Sequence, residues 1–372
     1  VFKENFKPFI HLFNGPQGKV EEIKIEIFLP NKKISAKIQS LEKPYESKII
    51  FLDDIFDICL IDEKLFARER GNFENKIELN DYYSIAVKGK CESIFPRFIV
   101  GNYDLLNKFP SVTHSFREIT EEDNFENIDK DEDASTIALP INNDDDIKLK
   151  LKIYPTASPN ITNIDFEILN LCNLNKIKSF KNRDLCLSNG LPIMLDVDGK
   201  NPNGLALIAK SNKKQNKLPA RIPVNLLFSL NDNLSCHTDI ALQFRTKYAK
   251  RKINYWYNSL FSKDYQNIVL GSSFISKSIN IQYNETLKFN LYFNFENIEK
   301  TFKKTIIYEK SKSRSFCLNM NKIFESFLGN KLDINNLNFY SWRIEIILGE
   351  IQDLYCITYN KKIKCIFGDH SF

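Results

Sequence analysis

Residues 23–30 read IKIEIFLP, and residues 147–155 read IKLKLKIYP. In both, apolar side chains alternate with charged ones. A period of two lays Ile and Leu on one face of an extended chain and Lys and Glu on the other. An α-helix would scatter the same residues around its axis. LKFNLYFNF at 287–295 alternates in the same way. Pro, Asn and Gly clusters bound these runs, as expected at strand ends. The three stretches therefore predict β-strands, each with one face in a core.

Working outward, similar runs follow each stretch in a similar order. After 23–30 come ISAKIQSL, KIIFLDDIFD, YYSIAVKG, PRFIVGNY and VTHSF. After 147–155 come IDFEILNL, RDLCLSNGLP, GLALIAKS, PARIPVNL and SCHTDI. After 287–295 come FKKTIIYEK, SRSFCLNMNKIFESFLG, YSWRIEIIL, LYCITYNK and FGDHSF. One earlier strand per copy is expected, in FIHLFN at 9–14, STIALPI at 135–141 and ISKSINIQY at 275–283. Each copy then has six or seven strands, the count of a β-sandwich. LDDIFD and NMNKIFESFLG space apolar residues three to four apart, which predicts a short helical piece midway.

Each copy closes on a strand carrying one histidine: His114, His237 and His370. Their separations, about 120 to 135 residues, match the size of one sandwich module. The expected fold is all-β: three tandem β-sandwich-like modules at 1–118, 134–245 and 262–372, with a pseudo-threefold arrangement as one way of assembling them. The acidic stretch at 118–134 and the basic, aromatic stretch RTKYAKRKINYWYNSLFSKDY at 245–265 are the expected connections, the second read as a packed helix.

Composition agrees with a folded chain. Of 372 residues, 43% are hydrophobic and 27% charged, which suits two or three cores rather than disorder. The abundance of Phe and Tyr over Met and Trp favours strands. A net charge of +5 is too small to argue for nucleic acid. The eight cysteines form no CxxC pair, and their spacing matches neither a zinc knuckle nor a disulfide framework. They read as reduced core residues. No run is long and apolar enough to span a membrane. No signal peptide is legible, so cytoplasm is the expected compartment.

Three imidazoles can hold zinc, iron or copper and leave a position open. His114, His237 and His370 are therefore the candidate metal ligands, with Asp239 and Asp369 as neighbouring carboxylates that orient an imidazole. If each histidine only ends a strand in its own module, no shared ion follows. His11, inside FIHLFN, reads as a strand residue. LDVDGKNPNG gathers Asp196, Asp198, Asn201 and Asn203 around Gly199, but lacks the register of a calcium loop and reads as a turn. Ser115 and Ser371 follow histidines, and Cys236 precedes one; neighbours on a strand face opposite ways and cannot pair as nucleophile and base. Asp53 and Asp54 read as helix caps. Lys247, Lys250, Arg251 and Lys252 with Tyr248, Tyr255, Trp256 and Tyr257 are the ingredients of a single-strand nucleic-acid platform or of a packed linker.

No phosphate-binding loop, nucleophile elbow or dinucleotide fingerprint is present. The expected function is a non-catalytic binding or assembly protein, with a protein or glycan partner ahead of nucleic acid. The alternatives are a metal-binding protein or metalloenzyme using the three histidines, and a carbohydrate-active or glycan-binding protein.

Overall fold

The computed structural model describes residues 6–16, 19–29, 32–72, 74–79, 84–91, 97–106, 108–114, 134–139, 147–155, 163–170, 175–185, 193–196, 205–211, 221–230, 234–243, 254–272, 286–309, 315–328, 333–349, 351, 353–360, 362–363 and 365–370. The protein is predominantly β. The first ten strands are β1 (Phe6–Phe13), β2 (Val20–Leu29), β3 (Lys32–Lys37), β4 (Ser47–Phe51), β5 (Phe56–Ile61), β6 (Lys64–Glu69), β7 (Lys76–Glu78), β8 (Ser84–Cys91), β9 (Arg97–Asp104) and β10 (Phe109–His114). Eight follow: β11 (Ala134–Leu139), β12 (Ile147–Ile153), β13 (Asn163–Asn170), β14 (Lys176–Asp184), β15 (Ile193–Asp196), β16 (Leu205–Ser211), β17 (Arg221–Leu230) and β18 (Leu234–Gln243). The last eight are β19 (Asn254–Phe261), β20 (Gln266–Ser272), β21 (Thr286–Phe295), β22 (Phe302–Glu309), β23 (Ser315–Asn319), β24 (Asn338–Leu348), β25 (Asp353–Asn360) and β26 (Cys365–His370). A 3-10 turn covers Leu52–Asp54, and α1 covers Met320–Leu328.

Among the described residues the strands pair antiparallel into seven sheets, ordered β10-β9-β1-β4, β3-β2-β8, β5-β6-β7, β11-β16-β13-β14, β15-β12-β17-β18, β19-β24-β21-β22 and β23-β20-β25-β26. Alternation explains the burial of many strands. In β24, Tyr340, Trp342 and Ile344 are buried while Phe339 and Arg343 between them are exposed. Asn319 caps α1, accepting the Lys322 backbone N–H at 3.1 Å. Ile323, Phe324 and Leu328 bury the inner stripe of that helix. Phe324 meets Phe261, Phe293, Phe295 and Tyr340 at ring distances of 4.8–5.1 Å.

Three apolar clusters form the core. Ile10, Ile25, Ile27, Ile34 and Phe56 belong to the first. Phe289, Phe293, Phe324, Trp342 and Cys356 belong to another. The remaining cluster joins Leu151, Phe166, Leu207, Leu226 and Phe228 to Leu270, Tyr355 and Ile357 from the last third of the chain. β25 is thus buried on both faces. Leu354 and Cys356 enter one cluster, and Tyr355, Ile357 and Tyr359 enter the other.

Several expectations change. Within the connection at 245–265, residues 254–261 form not a helix but β19, which pairs along its length with β24. Its apolar residues alternate at the strand period, with Tyr255, Ser259 and Phe261 buried and Trp256 exposed. IKLKLKIYP does not take the place of IKIEIFLP. β12 lies between β15 and β17, whereas β2 lies between β3 and β8; the strand placed like β2, between two such neighbours, is β13. Alternation marks a strand and its buried face, but not the sheet it joins. The expected six or seven strands are exceeded in the first two stretches, with ten described strands within 1–118 and eight within 134–245; β5, β6 and β7 form a sheet of their own. The expected strand at 275–283 and the acidic run at 121–133 lie outside the described residues.

Candidate functional site

The four strands β19, β24, β21 and β22 bring together residues distant in sequence. Register places Trp256 opposite Arg343, Arg343 opposite Tyr292, and Tyr292 opposite Lys303. These four therefore form one row across the outer face of the sheet, away from Trp342 and Phe293. The Arg343 guanidinium lies 4.7 Å from the centre of the Tyr292 ring, and the Lys303 ammonium 5.4 Å from it. The two cations come from the strands on either side of Tyr292, each within reach of the ring's π-electrons. Trp256, at the end of the row, is 52% exposed.

The neighbouring row is polar. Asn254 pairs with Glu345, Glu345 with Asn290, and Asn290 with Thr305. The Tyr292 hydroxyl donates to Glu345 Oε2 at 2.8 Å, and Thr305 Oγ1 donates to Asn290 Oδ1 at 2.9 Å. Hydrogen bonds from Tyr292 and Asn290 hold the Glu345 carboxyl below the usual carboxylate range. On the other side of the aromatic row, Ser341 Oγ donates to Asn294 Oδ1 at 2.6 Å. Along these rows the face presents aromatic rings, Arg343, Lys303, the Glu345 carboxylate and several amides and hydroxyls, and farther along the same strands it carries Lys288, Ile307 and Glu309.

The sequence alone singled out Tyr255, Trp256 and Tyr257 but joined them to the cations at 247–252, which lie outside the described residues. Of the three, only Trp256 stands on the outer face. Tyr255 is buried and donates to the Ile351 carbonyl at 2.5 Å, and Tyr257 packs 6.1 Å from Trp342. Arg343, Tyr292 and Lys303 were missed. Their alternating strands were legible, but nothing local shows that the three residues share a row.

The histidine strands are the second candidate. β10, β18 and β26 are each the last strand of a four-stranded sheet. They also lie against one another: β18 against both β10 and β26, and β10 against β26. His114 stands opposite Ile99, His237 opposite Leu227 and His370 opposite Tyr355. The side chains of His114, His237 and Asp239 lie outside the described residues. Asp369 Oδ1 accepts the His370 backbone N–H at 2.7 Å and stands 3.0 Å from His370 Nδ1. That carboxylate therefore orients its imidazole. Asp239 stands opposite Asn225, whose partner on the far side is the buried Lys152. Among the described residues, no group of three or more His, Cys, Asp or Glu is placed to hold a metal ion.

Other candidates resolve individually. His11 sits mid-strand in β1, its ring 5.9 Å from Phe13. Asp53 does not cap a helix: the 3-10 turn begins at Phe51 with no side-chain cap, and Asp53 pairs with Lys7 at 2.9 Å. Asp196 ends β15, while Asp198, Asn201 and Asn203 lie outside the described residues, as do Ser115 and Ser371. Cys356 and Cys365 are free and buried, and burial pushes their thiols up to about 12 and about 11. Neither is poised as a nucleophile. No helix among the described residues is long and apolar enough to cross a membrane.

Fold and site together define an all-β protein with a mixed aromatic and polar sheet face. No protein-family model matches the chain, and no curated protein matches it in sequence.

Proposed function

We propose that the chain is a non-catalytic binding protein, built from three tandem copies of one two-sheet sandwich, that recognises its partner on the outer face of β19-β24-β21-β22. The observation carrying this reading is the row Trp256–Arg343–Tyr292–Lys303. Exposed Trp, Tyr and Arg together are the residue types that dominate recognition surfaces. Here they sit on a sheet rather than a loop, so their spacing is rigid.

Pairing order supports the three copies. Count β11 to β18 as first to eighth. One sheet then runs fifth-second-seventh-eighth and the other first-sixth-third-fourth. β19 to β26 repeat both orders. Without β5–β7, the opening strands run β4-β1-β9-β10 and β8-β2-β3, which is the same pattern lacking its first strand. On this reading the third copy starts at β19 rather than at residue 262. The mutual packing of β10, β18 and β26 supports a closed, pseudo-threefold arrangement of the copies. The test is binding of the full chain to glycan and protein arrays beside a Trp256→Ala variant. Binding that falls at least tenfold in the variant supports the reading. Equal binding by both proteins overturns it.

A second reading has its own observation. His114, His237 and His370 lie on three edge strands that meet, His114 and His370 each at the sixth pair from its hairpin turn and His237 at the fourth. If they hold one transition-metal ion, elemental analysis of purified protein gives near-stoichiometric zinc, iron or copper, and His237→Ala loses it. Metal retained by that variant, or none in the wild type, overturns this reading.

A further inference from the structure

We propose that the outer face of β19-β24-β21-β22 binds a saccharide containing uronic acid, with a sugar ring on Trp256 and the sugar carboxylate on Arg343; this rests on the reading of that face as the recognition surface. The indole of Trp256 is half exposed at the end of the row. The C–H face of a pyranose carries partial positive charge and stacks on the negative face of an indole. One strand away, Arg343 offers a planar fork that matches a planar carboxylate with two parallel N–H···O bonds. Lys303 reaches the same Tyr292 ring from the strand on its other side and adds to the positive field around Arg343.

Charge complementarity selects the ligand. Near Tyr292 there are two cations and one carboxylate, and that carboxylate, Glu345, is already engaged by Tyr292 and Asn290. The locus keeps an unmatched positive charge, enough for one anionic group. A nucleic-acid strand carries a phosphate at every residue and calls for cations spaced along its path. Here the rows beside the locus offer amides and hydroxyls, such as Asn294 and Ser341, which suit sugar hydroxyls, and the same face also carries exposed Phe339, Ile307 and Ile347. The row crosses four strands, about 14 Å at the usual inter-strand spacing, the footprint of a short oligosaccharide.

The test titrates the full chain with trigalacturonate, a neutral trisaccharide of the same length, a heparin-derived tetrasaccharide and oligo(dT), following tryptophan emission and thermophoresis. Trigalacturonate is expected to bind and to shift the emission, with the neutral sugar at least tenfold weaker. Trp256→Ala should abolish binding, and Arg343→Met should reduce the acidic sugar to the neutral level. Thermal melts confirm that both variants fold. If neutral and acidic sugars bind equally and Trp256→Ala weakens both, the acid preference is overturned while the face stands. Oligo(dT) binding in preference to trigalacturonate in a Trp256-dependent way overturns the saccharide while the face stands, and a preference for the heparin tetrasaccharide, a uronic-acid saccharide that also carries sulfates, overturns the carboxylate as the group that is selected. Saccharide binding unchanged by both substitutions overturns the face as well. Failure of the wild type to bind any saccharide overturns the proposal.

Discussion

Glu26 shows how one residue can hold a local structure. It sits mid-strand in β2 with its side chain 1% exposed, and Lys24, Lys33 and Lys88 approach its carboxylate at 3.0, 3.4 and 2.6 Å. Burial alone would raise its pKa, but the hydrogen bonds and charges of Lys88 and Lys24 outweigh burial and bring it down to about 2. A folded-state pKa below the unfolded one stabilises the fold at neutral pH. That contribution is complete above the unfolded value of about 4.5 and is lost as pH falls toward about 2. Denaturant melts between pH 6 and pH 2 should show a loss of stability in that window, and Glu26→Gln should flatten it. At pH 7 the same substitution should cost about 2–4 kcal/mol, because three ammonium groups lose their counter-charge. Cysteine reactivity follows burial too. In the native protein at pH 8, iodoacetamide should leave Cys356 and Cys365 unmodified, and denaturant should expose both; mass spectrometry of labelled peptides checks this.

At the scale of elements, α1 plugs the space between β19-β24-β21-β22 and its neighbour. Phe324 touches four aromatic rings and is fully buried. Phe324→Ala should therefore cost about 3–5 kcal/mol, read as a lower denaturant midpoint with little change in slope. Between β20 and β23, Gly271 lies under the Phe316 ring, and an added Cβ would come within 2.1 Å of Phe316 Cζ. Gly271→Ala must push that ring aside and should destabilise by about 1–3 kcal/mol in the same assay. Much of this level was legible. The helix at 320–328 and the strands around it follow from apolar spacing in NMNKIFESFLG and YSWRIEIIL. β19 was misread because aromatic and basic residues in one run resemble an amphipathic helix. The period-two burial of Tyr255, Ser259 and Phe261 shows the strand only once its partner β24 is known.

At the scale of the whole molecule, the decisive feature is the shared core. Phe228 and Tyr355 meet at 6.3 Å, joining strands far apart in the chain. Tyr355, Ile357 and Leu270 complete a cluster that otherwise belongs to β12, β13, β16 and β17. These strands should unfold together. Tyr355→Ala should lower hydrogen-exchange protection in β17 as well as β25, whereas Phe324→Ala should act first on β19–β26. Protection lost only in β25 would mean that the cluster is not a cooperative unit.

The sequence by itself determined that this chain makes strands, which face of many of them is buried, and that a short helix breaks the last third. Those properties are local: side-chain alternation and propensity act over a few residues. The tertiary structure alone decided which strands are neighbours. Register between β19, β24, β21 and β22 gathered Trp256, Arg343, Tyr292 and Lys303 into one row, and packing brought β10, β18 and β26 together. A strand's alternation leaves its partner unspecified, because any strand with a matching apolar face can satisfy it. Only the burial of all faces at once, across the whole chain, selects the pairing and with it the candidate site.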